Sequence, residues 1–436
     1  MSTVSASSSS QVLQAERAAY VERTPKSAEQ FKRRLKAFPA GDTRLVTFYP
    51  PHPAQIERAT GIDMEDLDGN HYADFLQNYT SMITGHRHPA VMQATIEMMG
   101  QLTGAAAPVP NQLELAEEII RRVDSVERIR FTNSGTEAMT IGTWAARAFT
   151  GRPWLLKTIG GYHGCVPELD RSIRGRSFPP GVPDVTPVTA VPYNDADALA
   201  EAARSIGDDL AAIILEPVMG SGGVIPPAPG YLESARELAD ATGALLIFDE
   251  VISYRLGYGG YQERLTVKPD LTAIAKIIGG GFPVGALGGR EDVMEVFRPG
   301  GEKSISHSGT FNGNPIMATA GLKVLELLDR DAFDRLDRMG ALLADGLREA
   351  IADTGVAAQV TNVGSIGNVH FTAEPIYDFD TAQLSDATMS AAFHVGLLNR
   401  GIFIAPRGMW AVATVATEDD IGRFVAAAKQ VFEALA

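Results

Sequence analysis

The feature that most constrains this chain is an alternation running from about residue 89 to residue 328. Short apolar runs recur at residues 129–132, 154–159, 211–215, 244–248, 271–275 and 284–288. Between them lie stretches with apolar residues at helical spacing, 113–123, 138–149 and 232–242. Short buried strands alternating with amphipathic helices predict a three-layer α/β domain around a mostly parallel sheet. After a long helix-like run at 316–328 the pattern changes. Apolar runs at 367–371, 402–405 and 411–416 are interleaved with helices and end in a helix over 418–435, which predicts a smaller α+β domain.

Upstream, the Asp68-Gly69 turn signal within residues 61–75 predicts a small hairpin. The Ser-rich residues 1–10 are expected to be disordered. Residues 11–38 read as a charged amphipathic helical segment, packed on a partner subunit or solvated. A chain of 436 residues is too long for one small core. The expected organisation is an N-terminal disordered or helical segment (1–40), the first part of a small domain (41–88), a large α/β domain (89–329) and a C-terminal α+β domain (330–436).

Composition narrows the partners. The net charge of −15 argues against nucleic acid or an anionic membrane. One cysteine, Cys165, allows no internal disulfide. The first residues lack the basic and apolar regions of a signal peptide, and no uninterrupted apolar stretch of about 20 residues occurs. The expected location is the cytoplasm, and no metal site is expected.

Most candidate residues fall at or just after a strand-like run, where open α/β sheets bind ligands. In Phe131-Thr132-Asn133-Ser134-Gly135-Thr136-Glu137 small residues open a helix and can hold a phosphate, although Ser134 with Glu137 is equally a capping box. Asp249-Glu250 closes a buried run, so each carboxylate needs a partner: a cation, a hydroxyl, a protonated ring nitrogen or a cap. Among nine lysines and 29 arginines, only Lys157 and Lys276 stand in apolar strand-like runs. Burial makes such an amine nucleophilic, or its charge escapes to the surface. Gly160-Gly161-Tyr162-His163-Gly164 suits close approach of a flat ligand or a plain turn. Ser308-Gly309-Thr310 precedes a helix start and is also explained by turn chemistry.

Taken in order, these pieces resemble the class III branch of fold-type I pyridoxal-phosphate enzymes, the ω-transaminases and glutamate-1-semialdehyde aminomutases. The matching text is Asp68-Gly69-Asn70-His71-Tyr72, Gly85-His86-Arg87-His88-Pro89, Ser134-Gly135-Thr136-Glu137-Ala138, Tyr162-His163-Gly164, Glu216-Pro217-Val218, Asp249-Glu250-Val251, Lys276 with Gly279-Gly280-Gly281, and Gly309-Thr310. The resemblance implies a homodimer with shared active sites and pyridoxal 5′-phosphate as cofactor. Lys276 would be the Schiff-base lysine and proton carrier, and Asp249 the partner of the pyridinium nitrogen. Ser134, Gly135 and Thr136 would hold the phosphate, with Thr310 supplied by the other subunit. Tyr162 and Val251 would cover the two ring faces, Glu216 would lie by the 3′-oxygen, and His163 would lie nearby.

Within that branch, residues 276–290 look like the aminomutase. Residues 41–51, with Arg44, and Ile404-Ala405-Pro406-Arg407-Gly408-Met409-Trp410 resemble aromatic β-amino-acid (β-phenylalanine) transaminases instead. The reading is an aminotransferase moving an amino group from an aromatic β-amino acid to 2-oxoglutarate or pyruvate. Arg44, Val46 and Tyr79 would face the β-amino acid, and Arg407 the carboxylate of the keto acid. The alternatives are the aminomutase and a phenylglycine-type transaminase. More remote is a non-catalytic relative, which would be expected to lose Lys276 or Asp249. A dinucleotide-dependent dehydrogenase lacks its Gly-x-Gly-x-x-Gly turn here.

Overall fold

The computed structural model describes residues 3–170 and 187–436, without the side chains of residues 3–7 and 167. Strands β1 (Ile56–Thr60), β2 (Asp63–Asp66) and β3 (His71–Asp74) come first. Next are β4 (Arg128–Thr132), β5 (Trp154–Thr158), β6 (Val188–Val191), β7 (Leu210–Leu215), β8 (Leu245–Asp249), β9 (Leu271–Ala275) and β10 (Gly285–Gly289). The last are β11 (Gln359–Val363), β12 (Ile366–His370), β13 (Ile402–Phe403) and β14 (Met409–Ala411). The middle seven form one sheet ordered β4-β10-β9-β8-β7-β5-β6, and only β10 runs antiparallel to its neighbours.

Every residue of β7, β8 and β9 is buried. Alternate side chains supply two separate cores. Ala212, Ile214, Leu245 and Ile247 pack with the helix Gly135–Thr150, while Ile213, Leu215, Leu246 and Phe248 face the helices Ala196–Ile206 and Tyr231–Thr242. Covering both faces explains why these strands read as unbroken apolar runs rather than as alternation. Each fully buried Leu, Ile or Phe contributes about 1.5–3 kcal/mol by removal from water.

The sheet register brings the chemistry to one edge. Gly285 of β10 lies between Thr132 of β4 and Ala275 of β9, and Asp249 pairs with Ala273. The segments leaving β4, β8 and β9 therefore emerge together, carrying Ser134, Val251 and Lys276.

The expected hairpin is present, with Met64 opposite Tyr72 and Glu65 opposite His71. Strand β13, from the C-terminal part, joins it in parallel beside β3. The remaining sheet, β11-β12-β14, and the helices Arg330–Thr354, Ala387–Asn399 and Glu418–Leu435 enclose a core of Phe75, Phe393, Phe424 and Trp410.

Four expectations are corrected. Residues 3–10 are helical, the start of Thr3–Arg23, while Met1 and Ser2 lie outside the described residues. The segment 11–38 is two helices broken at Thr24-Pro25, because proline disrupts the preceding turn. The first packs along Ala387–Asn399 of its own chain and buries Tyr20, so it is not simply solvated. Of the runs 402–405 and 411–416 only Ile402–Phe403 and Ala411, the last residue of β14, lie in strands. Beyond Ala411 the backbone is spent on tertiary bonds: Val412 N–H to Ser365 O at 2.9 Å and Thr414 N–H to Ile83 O at 2.8 Å. Strand β6, at the sheet edge between Pro187 and Pro192, is an element the apolar pattern did not single out.

Candidate active site

Lys276 is the first residue past β9 and sits at φ +54°, in the left-handed region. Its Nζ donates to the Tyr79 carbonyl at 2.9 Å. Burial, reinforced by the nearby Arg407 charge, lowers this amine to about 8. The Tyr79 carbonyl is presented by an unusual turn: Gln77, Asn78, Tyr79 and Thr80 all have positive φ. Such a conformation costs roughly 1–2 kcal/mol per residue for side chains of L configuration. Asp74 Oδ1 holds the turn by accepting from the N–H groups of Leu76 (2.8 Å) and Gln77 (2.7 Å). The fully buried Arg255 donates to Thr80 O at 3.0 Å.

Asp249 ends β8 and is buried. Its Oδ2 lies 2.8 Å from Nδ1 of His163, and its Oδ1 accepts from Val251 N–H at 3.0 Å. Burial pushes its carboxyl up to about 7 and the His163 imidazole down to about 3. His163 is therefore neutral at pH 7 and gives Asp249 a hydrogen bond but no charge. The adjacent Glu250 is the opposite case. It accepts from Ser253 Oγ, the N–H groups of Tyr261 and Gln262, and the Gln262 side chain, which leaves it a structural anchor. Glu216 follows β7 and accepts from Tyr162 N–H and Gly220 N–H, both at 3.0 Å, and burial pushes it up to about 7.

Ser134 caps the helix Gly135–Thr150, its Oγ accepting from Glu137 N–H at 3.1 Å. Two glycines here are sterically required. A Cβ on Gly135 would lie 2.9 Å from Val251, and one on Gly164, at φ +83°, would lie 2.6 Å from Thr136 Cα. The Thr136 hydroxyl accepts from Cys165 N–H at 3.2 Å and so ties the helix start to the Tyr162-His163 loop.

Ser134, Gly135, Thr136, Tyr162, His163, Asp249, Val251 and Lys276 thus line one cavity of about 470 Å³, together with Arg44. Glu216 stands behind Tyr162. Val46 and Tyr79 line an adjoining cavity that shares Arg44 and Asn78 with the first. Arg44 donates to Asn78 Oδ1 at 2.7 Å, and Arg407 lies 5.6 Å from the Tyr79 ring. Thr310 is exposed and does not line the cavity of its own chain. Asn78, Asn133 and Arg255 are contributors that sequence reading passed over. Arg255, a lone cation in the buried stretch after Asp249, was the one with a visible signal.

The residues fit pyridoxal 5′-phosphate. Among the described residues the buried Asp249 carboxylate has no cation in hydrogen-bond contact, and a protonated ring nitrogen would supply one. The helix N-terminus at Gly135 offers backbone N–H groups to a phosphate. The amine of Lys276 shares the cavity with both.

Similarity to known proteins agrees. The class-III aminotransferase family model matches residues 48–421, and the chain belongs to that family of pyridoxal-phosphate enzymes. It is 41% identical over 388 residues to a glutamate-1-semialdehyde 2,1-aminomutase of Methanothermobacter thermautotrophicus, covering 87% of this chain and 92% of that one. Among solved structures it resembles an omega-transaminase from Sphaerobacter thermophilus, with TM-score 0.91, 38% identity and coverage of 94% and 97% of the two chains. A beta-phenylalanine aminotransferase from Variovorax paradoxus matches with TM-score 0.91 and 36% identity, covering 96% of each chain.

Proposed function

We propose that this enzyme moves the amino group of an aromatic β-amino acid to 2-oxoglutarate or pyruvate, working as a homodimer. The observation that carries the reading is the pair Arg44 and Arg407, placed around the Gln77–Thr80 turn that holds Lys276. Among the described residues neither guanidinium forms an ion pair with a carboxylate. The β-amino-acid carboxylate lies one carbon further from the reacting amine than that of an α-keto acid. Two arginines approaching from different elements can serve the two geometries where one fixed arginine serves only one.

When bound, pyridoxal phosphate supplies an aldehyde for an amine and a ring that accepts electron density from the carbon losing its proton. The protein does the rest. Lys276, with its amine lowered to about 8, is neutral often enough near pH 7 to take a proton at Nζ and return it. Asp249 provides the negative charge that keeps a ring nitrogen protonated, and His163 fixes the orientation of that carboxylate. Tyr162 and Val251 would cover the ring faces and exclude water, with Glu216 positioning Tyr162 through its N–H. Thr310 would reach the phosphate of the partner's site.

A second reading has its own support: the relatives at 37–41% identity are aminomutases for glutamate 1-semialdehyde. The two are separated by following the visible spectrum of the enzyme mixed with β-phenylalanine, β-alanine, phenylglycine or glutamate 1-semialdehyde. β-Phenylalanine is expected to convert the bound cofactor fastest. Arg44→Ala should slow that half-reaction and Arg407→Ala the keto-acid half-reaction, each by about tenfold or more for a lost charge-assisted contact. Normal half-reactions in both variants remove the support for a β-amino acid.

A further inference from the structure

Arg407, which reaches the Tyr79 ring but does not line the Lys276 cavity, borders a separate cavity of about 360 Å³, walled by the N-terminal helix Thr3–Arg23, the loop at Ser221 and strand β12. Among the described residues its walls carry two arginines, Arg17 and Arg407, with Asn368, His370 and His394, and no aspartate or glutamate. Two arginines on the wall of one cavity whose described lining holds no carboxylate favour an anion there. Burial pushes His370 and His394 down to about 4 and about 3, so both are neutral at pH 7 and the positive charge belongs to the arginines.

Four buried polar atoms of these residues have no hydrogen-bond partner among the described residues: Nε of Arg17, Nε of Arg407, Oδ1 of Asn368 and Nε2 of His394. Asn368 and His394 are only 2% and 1% exposed. Unsatisfied buried polar atoms are rare, and several around one cavity mark a place meant to be filled. The set is also specific. The arginines are donors. The Asn368 oxygen is an acceptor, and so is His394 Nε2 when the ring gives its N–H to the Ile404 backbone. Water can satisfy either kind, but it brings no negative charge to the two arginines on the cavity wall.

We propose that this cavity is a binding site for a small oxyanion that carries a hydroxyl group. The arginines take the charged oxygens, and the hydroxyl donates to Asn368 and His394. Hydrogen phosphate and 2-hydroxy carboxylates share that chemistry. The site goes beyond the substrate reading: it adds Arg17 and Asn368, and its test measures binding rather than turnover.

The test is calorimetric titration of the holoenzyme at constant ionic strength with inorganic phosphate and with malate. Sulfate and succinate, which carry charge without the hydroxyl donor, are the controls. One of the first two should bind saturably and about tenfold or more tighter than its control, a difference of about 1.4 kcal/mol. Arg17→Gln and Asn368→Leu should each weaken that binding about tenfold or more, with the cofactor's visible band retained as evidence of folding. Phosphate as the tighter ligand assigns the site to an inorganic ion, and malate to a hydroxy acid. The proposal is overturned if neither saturates, if sulfate and succinate bind equally well, or if both variants bind like wild type. Binding lost in Arg44→Ala but kept in Arg17→Gln would place the anion in the Lys276 cavity and overturns it too.

Discussion

Lys157 and Lys276 belong to the same sheet, one within β5 and the other one residue past β9, and burial lowers both amines to about 8. Their surroundings separate them. Lys157 is fully enclosed, and its Nζ is bonded to two carbonyls, Gly161 O at 2.8 Å and Leu169 O at 2.6 Å. It ties down the loop that carries Tyr162 and His163. Lys276 has one carbonyl partner, on a strained turn, and faces a cavity shared with Asp249. A lowered pKa therefore does not make a reactive lysine. Reactivity also needs room for a reactant to reach the amine, and of these two lysines Lys276 has it.

The contrast predicts its largest effect at Lys276. Lys276→Ala should lose turnover essentially completely while still binding pyridoxal phosphate, and borohydride should no longer fix the cofactor to the protein. Peptide mapping of the reduced wild type should find the adduct on Lys276. An adduct on Lys157 breaks the comparison outright.

Asp249→Asn comes next. A neutral amide cannot hold a ring nitrogen in its protonated form, so kcat should fall roughly 100-fold or more, in the range for removing one key electrostatic contact. Circular dichroism should show the fold unchanged. Near-normal turnover would mean that the buried carboxylate does not pair with the ring.

Lys157→Met should act on stability instead. Two buried carbonyls lose their donor, at about 1–3 kcal/mol for each group left unpaired. The denaturation midpoint should drop, while the reduced adduct stays on Lys276. A variant as stable as wild type that has lost adduct formation would reverse the roles of the two lysines.

The smallest effect is one of pH. In protein freed of cofactor, labelling by an amine-selective reagent should rise at Lys276 as pH passes through about 8, because the neutral form is the nucleophile and dominates above the pKa. Lys157, at a similar value, should stay unlabelled across the same range for want of access. Equal labelling of both would show that enclosure does not distinguish them.

Much of this was legible along the chain. The apolar runs at 271–275 and 154–159 located β9 and β5, and the motifs from Ser134 to Lys276 named the family. Other features were not. Asn78 is the one residue of 77–80 that favours a left-handed conformation, and nothing in the local pattern asks Gln77, Tyr79 and Thr80 to share it. That conformation is imposed by Asp74 and by Arg255, which is remote in sequence. Likewise, the Asp249-Glu250 pair looks symmetrical in sequence. Only packing shows Glu250 saturated by Ser253, Tyr261 and Gln262, and Asp249 left with a neutral histidine and one N–H.

By itself the sequence determined six of the seven strands of the central sheet, the helices between them, their order and the residue types delivered to the carboxyl edge. Those depend on neighbours a few positions apart, whose spacing decides which face is apolar. The tertiary structure alone decided which buried lysine opens onto a cavity, that Arg44 and Arg407 meet at one turn, and that Arg17 joins Arg407 around another. These are contacts between residues tens to hundreds of positions apart. No local propensity encodes them, because they exist only once the sheets and helices have packed.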